Sequence, residues 1–176
     1  MAAGVWTLAG SIECAARAFI KNESEASSRK QTMPGHEVLG GLLEDLNKHI
    51  VKDDTQSVEQ IVFVILEHIP LADAIKFLAI CCVVHGAFNT LARFADAITL
   101  DVIQYCWPHA VETLKKSRDT PAQYKKIADI ALILVDKAAD EKAVSDEMIV
   151  DITRYFSWGF QGWVSERTGH VFIRDV

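Results

Sequence analysis

The sequence predicts an all-α fold, a globular bundle of seven or eight helices around a buried central helix. Three observations carry this expectation. Apolar residues recur every three or four positions through most of the chain, the spacing of one helix face. Only 4 prolines and 9 glycines occur in 176 residues, few for an all-β protein with many turns. Half of the residues are hydrophobic and the mean hydropathy is +0.14, a composition that builds a core and argues against disorder. At this length a single helical domain, 1–176, is expected.

The elements follow in order. A first helix, about 5–22, carries Leu8, Ile12, Ala16, Phe19 and Ile20 on one stripe. The polar stretch "KNESEASSRKQTMPG", 21–35, reads as a mobile linker. A second helix, about 35–51, places Val38, Leu39, Leu42, Leu46 and Ile50 at helical spacing. "DDTQS" then supplies caps for a third, about 56–69. Pro70 ends it and stands at the start of a fourth, about 71–86. There Leu71, Ile75, Leu78 and Cys82 form one face, while Phe77, Ile80, Cys81, Val83 and Val84 cover the others. A helix apolar nearly all round is a buried one, which makes this segment a candidate for the central helix.

A fifth helix, 88–117, is expected to kink near Pro108. "SRDTPAQ" marks a stop and restart, followed by "YKKIADIALILVDKAA", strongly apolar from Ile127 to Val135. "VSDEMIVDITRYFSWGFQGWVSE" predicts one long last helix with Tyr155, Phe156, Trp158, Phe160 and Trp163 along it.

Composition excludes several function classes. A net charge of −6 provides no electrostatic footprint for nucleic acid, and no dense basic cluster suits an anionic membrane surface. The longest uncharged apolar run, "FLAICCVV" at 77–84, falls far short of the roughly 18 residues of a membrane span. The N-terminal stretch lacks the basic region of a signal peptide, and "VFIRDV" carries no tail anchor. A soluble, cytoplasmic protein is expected, with Cys14, Cys81, Cys82 and Cys106 as reduced thiols.

The chemistry that helical bundles host is not evident. Neither His-Glu-x-x-His nor Glu-x-x-His occurs. Cys81 and His85 in "CCVVH" could share a metal, but the pattern suits core cysteines followed by a helix-terminal histidine. "LGGLLEDL" lacks the lysine and the preceding strand of a phosphate loop, and His170 suits a helix C-terminus. No enzyme, metal or cofactor is expected. A bundle with a buried helix and an aromatic last helix suggests instead a module that binds other helices.

"GWVSERTGHVF", 162–172, adds a resemblance to that reading. Trp163, Val164, the polar run 165–167 and Gly169 resemble the second homology region of the Bcl family of apoptosis regulators, with Thr168 and His170 as departures. Physically, an indole there fixes a helix end against the core, and a glycine lets the chain reverse. Upstream, "QYKKIADIALILVDKAA" is similar to the family's first homology region and central helix. Tyr124 stands at the aromatic place and Lys126 at the arginine place, with Ile127, Ile130, Ala131 and Leu134 behind; the family's Asn and Gly are missing. A rival, 57–81, follows the same pattern without the cation. The third homology region has two matches: "LARFADAI", with Leu91, Phe94, Ala95, Asp96 and Ile98 as one helical stripe, and "LGGLLEDLN". "SIECAARAFIKNE" looks like the family's first helix.

Worn motifs on a kept fold are what divergent viral or invertebrate members look like. The resemblance implies a hydrophobic groove that takes the amphipathic helices of pro-apoptotic proteins, with inhibition of cell death as the first reading and a pro-death role open if "LARFADAI" can be exposed. It assigns to that groove Leu91, Phe94, Asp96, Ile98, Tyr124, Lys126, Ile127, Ile130, Trp163 and Gly169, with Lys126 meeting the partner's acid. It leaves room for a homodimer and for peripheral attachment at the mitochondrial surface. The same fold bound to a signalling adaptor, and an unrelated helical enzyme or scaffold, are the alternatives.

Overall fold

The computed structural model of the chain describes residues 35–172, with side chains from Val38 onward. The expected first helix, with its "SIECAARAFIKNE" match, and the expected linker up to Pro34 lie outside the described residues. The chain divides into two compact units, 1–40 and 41–176, and the second is described below. Among the described residues every regular element is helical, as the apolar spacing predicts.

Helix α1, Gly35–Val51, buries Leu43, Leu46 and Ile50, while Val38, assigned to the same stripe from the sequence, is exposed. Helix α2, Thr55–Ile65, starts on Asp54, whose carboxylate accepts from the Ser57 N–H, so "DDTQS" caps as expected. Helix α3, Leu71–His85, buries Ala74, Ile75 and the continuous run Leu78–Val83. Such a run needs neighbours on several sides; α4 and α5 pack on it, with α6 beside them.

The expected 88–117 helix is three pieces: α4, Phe88–Arg93, a 3-10 turn, Ala95–Ala97, and α5, Leu100–Lys116. Ile98 between them is extended and buried. The break lets Leu91 and Ile98 both reach the core from differently directed segments. The α5 helix continues through Pro108, whose ring is exposed. The Gln104 carbonyl, deprived of its helical donor, is on the exposed side as well.

Helix α6, Pro121–Asp140, packs against α3, α4, α5 and α8. Ile127, Ile130, Ala131, Leu134, Val135 and Ala138 are each 0% exposed, one stripe at helical spacing. The expected single last helix is two, α7, Asp146–Tyr155, and α8, Trp158–Thr168. Phe156 turns extended, and the Ser157 hydroxyl caps α8 by accepting from the Phe160 N–H at 3.3 Å. Gln161 then folds back over the break. Its buried Nε2 donates to the carbonyls of Ile152, Thr153 and Phe156 at 3.3, 3.2 and 3.1 Å.

The start of α4 is held from a distance. Asp53, at φ +52° between α1 and α2, accepts from the Asn89 and Thr90 backbone N–H groups at 3.2 and 2.8 Å. It also accepts from the Asn89 amide and the Thr90 hydroxyl, at 2.8 and 2.7 Å. It thus serves as the N-cap that Ala87 cannot supply. Burial raises the Asp53 pKa, but these four donors together outweigh it and leave the carboxyl below its usual value. Asp53→Ala should destabilise the fold by about 1–2 kcal/mol. The lowered pKa makes this contribution complete at neutral pH, and it should fade below pH ~4, as the carboxyl protonates. Urea melts of both proteins at pH 7 and pH 3 check this; an equal gap at the two values refutes the assignment. Gln161→Leu should cost about 1–3 kcal/mol by leaving the buried Phe156 carbonyl without this donor, read as a fall in urea midpoint at unchanged slope.

Candidate functional site

Two stripes run along α6. The first is the fully buried one. The second, Asp129, Leu132, Ile133 and Asp136, lies between core and solvent and forms one wall of an open groove of about 230 Å³. Phe88 from the start of α4 and Trp163 from α8 complete it. Phe88 is 39% exposed, an apolar ring whose position follows from the Asp53 grip on the two residues after it.

Trp163 is placed by an aromatic series that begins in the core. Trp107 donates its indole N–H to Asp151 at 3.0 Å and stacks on Phe156, centroids 5.8 Å apart and planes at 13°. Phe156 meets Phe160 at 4.3 Å, and Phe160 meets Trp163 at 6.4 Å. Phe156 and Phe160, four residues apart, stay side by side across the break between α7 and α8. Arg167, on the next turn of α8, pairs with Asp136 at 2.8 Å and with Asp140, tying α8 to α6 beside the groove. Asp129 has no cation partner among the described residues.

Lys126 lies one helical turn before Asp129 and is exposed. Its stem covers Gly86: a Cβ built there would lie 3.2 Å from Lys126 Cβ and 3.3 Å from its Cδ. Gly86 closes α3 at φ +71° two residues before Phe88; Lys126 itself does not line the groove.

The other residues assigned from the sequence go elsewhere. Leu91, Ile98, Ile127 and Ile130 are core residues, 0–3% exposed, and do not line the groove. "LARFADAI" is not one helical stripe, because the α-helix ends at Arg93; Phe94 is half-buried, and Asp96 points to solvent and pairs with Lys137 at 3.3 Å. The rival match "LGGLLEDLN" lies on continuous helix in α1, with Leu46 buried and Glu44 and Asp45 exposed. The Tyr124 hydroxyl donates to the Tyr155 carbonyl at 3.0 Å, and its ring lines a different, smaller cavity. Gly169 borders a third depression, of about 600 Å³, with His170 and Lys142. It ends α8 at φ +75°, its N–H donating to the Ser165 carbonyl at 2.8 Å. The chain reverses there as expected, but a Cβ would meet nothing within 4 Å; the left-handed backbone is what favours glycine.

Phe88, Asp129, Leu132, Ile133 and Asp136 were not assigned from the sequence. The α6 signal was legible: two aspartates seven apart with apolar residues between them form a second stripe beside the core one. Phe88 carried none, since its placement depends on Asp53. The Cys81 and Cys82 thiols are buried, which pushes Cys81 up to about 12 and Cys82 well above its usual value. His85, its pKa lowered by burial, faces Asn47 at 3.0 Å. Among the described residues no group of three His, Cys, Asp or Glu side chains could hold a metal ion, and no helix is long and apolar enough to cross a membrane.

Compared with protein-family models, curated proteins and solved structures, the chain has no match.

The two left-handed glycines separate space from strain. Gly169→Ala should cost about 1 kcal/mol, the backbone term alone, and Gly86→Ala should cost more because Lys126 must also move. Thermal melts rank them, and equal losses would show that Lys126 does not press on Gly86.

Proposed function

We propose that the protein is a Bcl-type apoptosis regulator that sequesters amphipathic pro-death helices. Helix α6 takes the role of the family's central helix in this reading, in preference to the 71–86 segment, with α7 and α8 as the pair that carries Trp163 and Gly169. The observation that carries the proposal is the groove. An apolar trough walled by Phe88, Leu132, Ile133 and Trp163 opens on the flank of a helix whose other face is wholly buried. A guest helix laying apolar anchors there would gain roughly 1.5–3 kcal/mol for each fully buried side chain, before ordering costs.

In this reading Lys126, one turn before Asp129 on α6, would supply the cation at the place where the resemblance puts the family's arginine. It would meet a guest's acid as a point charge, without a bidentate fork. An inhibitor fits better than a promoter, because "LARFADAI" is interrupted and two of its anchors, Leu91 and Ile98, are already in the core. Exposing them would require taking α4 off α6.

Calorimetric titration with a panel of pro-death helical peptides tests the reading, and absence of binding by every peptide would end it. Lys126→Glu should weaken an Asp-bearing peptide about tenfold or more, equivalent to about 1.4 kcal/mol. Trp163→Ala should weaken all binders by removing one wall, whatever their charge. Unchanged affinity in both variants would move the site away from this groove.

A further inference from the structure

The turn between α5 and α6 gathers positive charge in an acidic protein. "LKKSRDTPAQYKK", 114–126, holds Lys115, Lys116, Arg118, Lys125 and Lys126 against one carboxylate, Asp119, while the chain carries −6. Two of these cations converge. Lys115 and Arg118 line a cavity of about 60 Å³ whose other walls are Leu114, Tyr124 and Tyr155. The Lys115 ammonium stands over the Tyr155 ring, 4.5 Å from its centroid. The Tyr124 hydroxyl donates to the Tyr155 carbonyl at 3.0 Å, which ties the first turns of α6 to the end of α7 and holds both rings in place.

Neutralisation is incomplete at this spot. Lys116 pairs with Glu112 at 3.4 Å, but neither Lys115 nor Arg118 has a carboxylate within ion-pair distance among the described residues. The 20-residue helix α6 also starts here, with no side-chain cap from Thr120, and its positive end adds to the field.

Size and charge select the ligand. The cavity is small, about 60 Å³, and suits one compact oxyanion better than a larger group. A phosphate monoester carries about −1.5 to −2 charges at neutral pH and offers three acceptor oxygens, matching one lysine and one arginine. A carboxylate would leave one cation uncompensated. We propose that Lys115 and Arg118, walled by Tyr124 and Tyr155, form a binding site for a phosphate monoester group, free or in a phosphorylated lipid headgroup. This site lies apart from the Phe88–Trp163 groove and does not depend on the function proposed for it.

The full chain is titrated by calorimetry with inorganic phosphate and with a soluble inositol phosphate. In parallel it is sedimented with phosphatidylcholine vesicles with and without a phosphoinositide. Binding of the soluble ligands identifies a free phosphate as the source, and binding only to phosphoinositide vesicles identifies a headgroup. Either result supports the site if Lys115→Gln with Arg118→Gln weakens it ~10-fold or more while Lys142→Gln, an exposed cation elsewhere, leaves it unchanged. Circular dichroism confirms that the double variant is folded, as expected from the exposure of both residues. No binding in any arm, succinate binding as well as phosphate, or a folded double variant that binds like the parent would each overturn the proposal.

Discussion

Helix α6 is the constraint on which the rest of the molecule depends. Six of its residues have no contact with solvent, and each large aliphatic among them contributes roughly 1.5–3 kcal/mol through burial. Helices α3, α4, α5 and α8 all lean on it. Because that stripe occupies only part of the circumference, the adjacent stripe, with Leu132 and Ile133 at its centre, is left at the boundary between core and water. The groove is thus a by-product of how far the neighbours wrap around one rod.

The walls of the groove are set by interruptions. A continuous 88–117 helix would carry Phe88 on a rigid arm; the actual α4 is six residues long and is fixed at its start by a carboxylate 35 positions upstream in the sequence. Phe156, Phe160 and Trp163 are spaced four and three apart, the spacing of one helix face, and they stay in contact across the break at Phe156 and Ser157. Polar side chains hold the start of α4 and the α7–α8 break: Asp53 caps α4 from the α1–α2 turn, and Gln161 bonds the carbonyls at the α7–α8 break. Buried backbone groups at a helix end must find partners, and these two residues supply them.

Charge divides the surface in a way that the net value hides. The protein is acidic as a whole, and Asp129 and Asp136 stand in the groove wall, yet Lys126 rises beside it and the α5–α6 turn is locally basic. Asp136 is compensated by Arg167, whereas Asp129 has no cation partner among the described residues.

The sequence alone determined the helical class, most helix starts and stops, and the buried stripe of α6, because these follow from local spacing and capping chemistry. It also marked Gly169 as a helix-end glycine, whereas Trp163 stands mid-helix in α8 and lines the groove. Only the tertiary structure decided that Leu91, Ile98, Ile127 and Ile130 belong to the core, and that Tyr124 and Gly169 border other cavities. Helical periodicity reports which faces are apolar, but it does not report how much of each face the neighbours cover. That coverage is set by long-range partners such as Asp53 with Asn89 and Thr90, and no local pattern encodes a bond across that separation.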